Sequence, residues 1–138
     1  MNDEIAESGG TKTNSQGQRP ADIRARSFAY ALRAIKLSLF LEKQREGAAR
    51  ILGRQFLRSA TSIGANIEEA QSAESRPDFI HKCGVAQKEA RETRYWLKLL
   101  AGSEIVDERK LHPLIQVTDE ILAILSSIII HAKKSRVA

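Results

Sequence analysis

Large apolar residues recur at steps of three and four from about Asp22 onward, and no segment alternates apolar and polar at every second position. The pattern predicts helices and no strands. Four helical patterns follow one another. In the first, about Asp22 to Gln44, Phe28, Leu32, Ile35 and Leu39 form a stripe that Leu37, Phe40 and Leu41 widen, which suggests a second surface to cover. The second, about Gly47 to Gln71, carries Leu52, Phe56, Ala60, Ile63, Ile67 and Ala70 on one face. Gly53 and Gly64 interrupt it, each costing about 1 kcal/mol of helix propensity relative to Ala, which the close approach of a neighbouring backbone would explain. The third opens on Ser75-Arg76-Pro77-Asp78, a capping Ser, an early Pro and an acidic third residue. Behind this cap Phe79, Cys83, Ala86, Ala90, Thr93, Leu97 and Leu100 form a heptad seam, and Gly102 supplies a stop. Asp107 can cap the fourth, in which Leu111, Leu114, Thr118, Ile121, Leu125 and Ile128 repeat the spacing before basic Lys133, Lys134 and Arg136.

Four such helices joined by short polar links predict an all-α fold, an antiparallel up-down-up-down four-helix bundle over residues 22–138. Residues 1–21 hold almost no large apolar side chain and are expected to form a flexible tail, with Asp22 as the N-cap of the first helix. The fourth helix carries apolar residues beyond one stripe, at Ile115, Val117, Leu122, Ile124 and Ile129. A lone bundle would leave some of these wet, so a further interface is expected.

Aromatics are only 5% of the chain, so the core must be built from Leu, Ile, Val and Ala, which disfavours a base-stacking domain. The single Cys83 cannot form an internal disulfide and no amino-terminal apolar segment resembles a signal peptide, so a cytoplasmic location is expected. The run Ile121 to Ile130, broken by Ser126 and Ser127, is shorter than a bilayer needs and reads as a buried helix.

Catalytic chemistry finds little to work with. A nucleophile needs a base beside it, and Cys83 lies on a core seam. Asp78-Phe-Ile-His81 has the spacing of a di-metal ligand pair, but Asp78 is better explained by the helix cap, and His112 and His131 stand near helix ends. Phosphate-cradling Gly loops and zinc-type Cys clusters are absent. No enzyme activity, cofactor, metal or small-molecule substrate is expected.

Charge adds two features. The net charge is +5, yet residues 22–67 hold nine basic and three acidic groups, concentrating the excess early in the folded part. There Arg50, Arg54 and Arg58 recur at four-residue spacing on the second helix, beside Arg24, Arg26, Arg33 and Lys36 on the first. Such a ridge could follow a phosphate backbone, although a solvated face or a set of cross-helix ion pairs is the commoner use of such a row. The second feature is a polar strip, Gln55, Arg58, Ser62, Asn66 and Glu69, beside the apolar face of the second helix, with Glu89, Glu92 and Thr93 of the third as candidate partners.

Leu57-Arg-Ser-Ala-Thr-Ser-Ile-Gly-Ala-Asn-Ile-Glu-Glu-Ala70, Asp78-Phe-Ile and Lys88-Glu-Ala-Arg-Glu-Thr-Arg-Tyr-Trp-Leu-Lys-Leu-Leu100 resemble the four-helix bundle proteins encoded in intervening sequences of bacterial 23S ribosomal RNA genes. The resemblance covers about residues 22–132. It implies a ring of identical subunits, a pentamer, without enzymatic activity, and it raises the expectation of RNA or DNA contact. Ala70 stands where that family commonly has Gly. The family's polar positions fall on Arg58, Ser62, Asn66, Glu69, Glu89 and Thr93, where they imply an architectural role. The expectation is therefore a non-enzymatic homo-oligomer that binds nucleic acid through the basic face of the first two helices. The alternative is a scaffold whose partner is protein, its arginines taken up in ion pairs.

Overall fold

Short-range hydrogen bonds fix where the helices begin. In the computed structural model, which describes residues 20–135, α1 spans Pro20–Glu42, α2 Gly47–Gln71, α3 Arg76–Gly102 and α4 Glu108–Lys134. The Ser75 side chain accepts from the Asp78 N–H while Asp78 Oδ2 accepts from the Glu74 N–H, a reciprocal cap at the start of α3. Asp107 caps α4 by accepting from the Arg109 N–H at 2.9 Å. α1 begins at Pro20, a residue preset for a first helical turn, so Asp22 lies inside that turn and is not the cap expected of it. Apart from its last two residues, the segment expected to be a flexible tail falls outside the described residues, as does Arg136. Gly102 remains helical; the left-handed residue after α3 is Glu104, at φ 62°.

The helices form the bundle that the sequence predicts. Each packs along its chain neighbour, and α1 closes the ring on α4 along a shorter seam. Three seams were legible in the periodicity. Phe56, Ala60, Ile63 and Ile67 of α2, Cys83, Ala86, Ala90, Leu97 and Leu100 of α3, and Leu111, Ile121 and Leu125 of α4 are all buried. Ile124 joins the α4 core, and Ile115, Val117 and Leu122 pack partly against it, so most of the apolar excess expected to be wet on α4 is used inside the bundle. As a whole helix, α4 is long and apolar enough to cross a membrane, although its apolar run alone is not; 28% of its most apolar stretch is buried against the other helices.

α1 sits the other way round from the expected stripe. Its core face is Ile23, Ser27, Tyr30, Ala34, Leu37 and Leu41. Phe28, Leu32, Ile35 and Leu39 point outward and are 67%, 49%, 41% and 58% exposed. The sequence reading rests on the purely apolar stripe, and of the residues taken to widen it Leu37 and Leu41 belong to the core face. The inner stripe wins through its small and hydroxyl-bearing members. Ser27 lies against Gly64, and Leu41 fills the space beside Gly53. Tyr30 reaches across to Thr118 Oγ1 at 2.6 Å; because Thr118 donates its own proton to the Leu114 carbonyl, the phenol is the donor.

The two α2 glycines therefore differ. A Cβ on Gly53 would lie 2.9 Å from Leu41 Cβ, an atom that moves only with the α1 backbone, whereas a Cβ on Gly64 would meet Ser27 at ordinary contact distances of 3.4 Å and beyond. Gly53→Ala is expected to destabilise by about 1–3 kcal/mol despite its gain in propensity. Gly64→Ala is expected to be neutral or to stabilise by up to about 1 kcal/mol. Urea denaturation of the two variants measures both.

Candidate functional site

On the polar strip, the seam between α2 and α3 places two hydroxyls where the backbones run close. Ser59 and Thr93 are both buried, their oxygens 2.8 Å apart, and Thr93 reaches the Glu89 carbonyl at 2.7 Å. Beside them, the Arg58 guanidinium spans Glu89 and Glu92 of α3. Nη2 binds Glu92 tightly and Nη1 is 3.5 Å from Glu89. The two carboxyls respond in opposite directions. Burial pushes Glu89 above the usual carboxylate range, more than the distant guanidinium pulls it down, while the hydrogen bond from Arg58 holds Glu92 below that range.

The rest of the strip does not cross to α3. Ser62 donates to the Arg58 carbonyl and Asn66 to the Ser62 carbonyl, so both bond within their own helix. Gln55 and Glu69 are exposed. The strip is a clasp at Arg58 and Thr93, continued by locally bonded side chains.

Of the seven cations expected to form a ridge, four are in ion pairs that tie helices together. Arg24 forks onto Glu68 through two 3.0 Å bonds, Arg26 meets Glu120 at 3.0 Å, Arg54 meets Glu42 at 2.7 Å, and Arg58 serves α3 as above. These partners lie on α2, α4, α1 and α3 in turn, so the guanidinium groups are divided among three helix pairs. Arg50 donates to the carbonyls of Gln44 and Arg45 at 2.6 and 3.0 Å, fastening the loop after α1. Arg33 lies half-buried beside Tyr30; burial draws its pKa below the ordinary value, and its Nε has no acceptor among the described residues. Lys36 is exposed.

The missed features have a common signal. The sequence marks Lys88, Arg91 and Lys98 as helical neighbours, yet the count by segment hid them because residues 68–107 are net acidic. In the fold Glu89 and Glu92 turn toward Arg58, and Arg94 turns to Asp119 at 2.7 Å, leaving those three cations and Tyr95 on the outer face. Among the described residues no three His, Cys, Asp or Glu side chains gather as metal ligands. His81, His112 and His131 are all exposed. Cys83 is buried, and burial raises its thiol pKa.

Fold and surface together define a small all-helical bundle protein whose polar side chains join helix to helix instead of converging on a pocket. The profile of the 23S rRNA-intervening sequence proteins matches residues 19–127, and the chain belongs to that family. Among solved structures it is similar to a protein of unknown function from the S23 ribosomal protein family of Bacteroides thetaiotaomicron. The two share 42% sequence identity and a TM-score of 0.73, over 78% of this chain and 97% of that one. No curated protein matches the chain.

Removing Arg58 leaves two adjacent carboxyls without a counterion, so Arg58→Ala is expected to cost about 1–2 kcal/mol and Arg50→Ala roughly half as much, as read by chemical denaturation. The carboxyls separate by pH. The depressed Glu92 contributes stability that is present above its unfolded pKa and is lost as pH falls through its folded one. The raised Glu89 disfavours the folded state at neutral pH, and that penalty disappears on protonation. Glu92→Gln is therefore expected to lower the melting temperature at pH 7 and to rejoin the wild type on acidification through about pH 4, whereas Glu89→Gln holds or raises it at pH 7.

Proposed function

We propose that this protein is a non-enzymatic, homo-oligomeric scaffold of the cytoplasm whose subunits meet through the outer face of α1. The observation that carries the reading is the apolar stripe Phe28, Leu32, Ile35 and Leu39, left in water on a helix that is apolar on both sides. Ala31, Thr61 and Ala65 continue it into the shallow groove between α1 and α2. A second copy of the chain suits this surface better than the chain's own amino terminus does, because residues 1–19 offer only Met1, Ile5 and Ala6 as apolar cover. A ring requires this face to dock on a different surface of the next copy, a head-to-tail contact that closes on itself, and a pentamer is the form that the family resemblance favours.

RNA or DNA binding through Arg24, Arg26, Arg33, Lys36, Arg50, Arg54 and Arg58 is the weaker reading. Phosphate would have to displace Glu68, Glu120, Glu42 and the Glu89–Glu92 pair, and each exchange swaps one anion for another with little net gain.

Leu32 and Leu39 are exposed, so Leu32→Glu with Leu39→Glu leaves the bundle core intact. The double variant is expected to keep wild-type helicity by circular dichroism and to fall to monomer mass by light scattering, while the wild type runs as an oligomer. A wild type that is monomeric at tens of micromolar, or a double variant that keeps the oligomer mass, would falsify the reading.

A further inference from the structure

We infer that the outer face of α3 is a binding surface for single-stranded nucleic acid, in which Lys88, Arg91 and Lys98 hold phosphates and Tyr95 stacks on a base. All four side chains are exposed, Tyr95 by 56%. They follow at steps of three, four and three, which puts them in one row along the helix. At 1.5 Å per residue the row is about 15 Å long.

What separates this row from the paired arginines of α1 and α2 is its freedom, and what separates it from the other cations without a carboxylate partner, such as Lys36, is the aromatic ring in its line. None of Lys88, Arg91 and Lys98 has a carboxylate partner among the described residues, whereas Arg24, Arg26, Arg54 and Arg58 all do. The acidic residues that share this stretch of α3 are turned aside: Glu89 and Glu92 face Arg58 of α2, and the next cation along, Arg94, takes Asp119 of α4. The free charge is therefore left pointing at solvent by ion pairs on both flanks.

Tyr95 decides the class of ligand. Its ring sits 5.4 Å from that of Trp96, tilted by 57°, and Trp96 packs against the core, so the tyrosine is an exposed aromatic face with a fixed neighbour. Cations alternating with an exposed aromatic along one groove or ridge match the needs of an unpaired strand, whose phosphates run in series and whose bases are free to stack. An acidic polypeptide uses the charges and not the ring. A duplex hides the bases from it.

α3 lies across the bundle from α1, since each helix packs on its chain neighbours and α1 closes on α4. The row lies away from the α1 stripe, and the inference is independent of the assembly reading: a wild-type monomer that binds a single strand supports the row and defeats assembly alone.

The test is fluorescence anisotropy of labelled oligo(U) with the full chain at low and at physiological salt. Wild type is expected to bind at low salt, with affinity falling as salt rises. Lys88→Ala with Arg91→Ala and Lys98→Ala should weaken binding at least tenfold and flatten the log–log salt slope by about 2, at about 0.7 per lost phosphate contact. Tyr95→Ala should lose about tenfold with the slope unchanged, and Tyr95→Phe, which keeps the ring, should bind as wild type. The Tyr95 pair decides the matter if the triple variant fails to fold. Arg109→Ala, which removes a cation at the start of α4, should have no effect. No binding of oligo(U) by wild type at low salt overturns the proposal, as does a triple variant with wild-type affinity and slope. Equal competition by polyglutamate together with a silent Tyr95→Ala assigns the row to an acidic protein and overturns it too.

Discussion

Close approach of neighbouring helices is the constraint from which the other features follow. Where backbones run near each other, side chains are small: Gly53 beside Leu41, Gly64 beside Ser27, and Ala60, Ala86 and Ala90 within the core. Small residues bring large apolar side chains of the next layer into contact, which suits a chain poor in aromatics. They also bring polar atoms into the interior, and these are paired across the seams. Ser59 meets Thr93 between α2 and α3, Gln87 meets Ser126 between α3 and α4, and Tyr30 meets Thr118 between α4 and α1. Each seam then carries an ion pair nearer its rim: Arg24 with Glu68, Arg58 with Glu92, Arg94 with Asp119 and Arg26 with Glu120. An exposed pair is worth little energetically, at about 0–1 kcal/mol, so the rim pairs contribute register and orientation more than stability.

This arrangement divides the surface by charge and polarity. Arginines that look like one basic face in the sequence are distributed over all four helices once their partners are seen. Three of the cations without a carboxylate partner, Lys88, Arg91 and Lys98, share the outer face of α3. The outer face of α1 is apolar where a solvated bundle helix would be polar. One side of the molecule thus presents grease and the opposite side presents free positive charge, with the neutralised seams between them.

Much of the fold was readable from spacing. The seams of α2, α3 and α4, the Ser75–Asp78 cap and the Asp107 cap stand where periodicity and capping chemistry put them. α1 was misread for a physical reason. Hydrophobicity favours Phe28, Leu32, Ile35 and Leu39, while the fold favours the stripe that lets α1 come close to α2 and satisfies Tyr30 and Thr118. Closeness depends on what the partner helix offers, and a single-helix pattern contains no record of Gly53, Gly64 or Thr118. Charge stayed open for a related reason, with a phosphate-binding ridge and cross-helix ion pairs both allowed by the sequence. Counting by segment registers how many cations a stretch holds, but which of them are free depends on cross-helix partners such as Glu68 and Glu120, far away in the chain.

Cys83 turns the bundle into its own reporter. The thiol sits on the inner seam of α3, where burial both shields it and disfavours the thiolate, the form that reacts. A reagent can reach it only while the seam is parted, so its labelling clock counts openings of that seam and leaves loop motions unrecorded. Because it is the one sulfhydryl in the chain, that clock has a single hand.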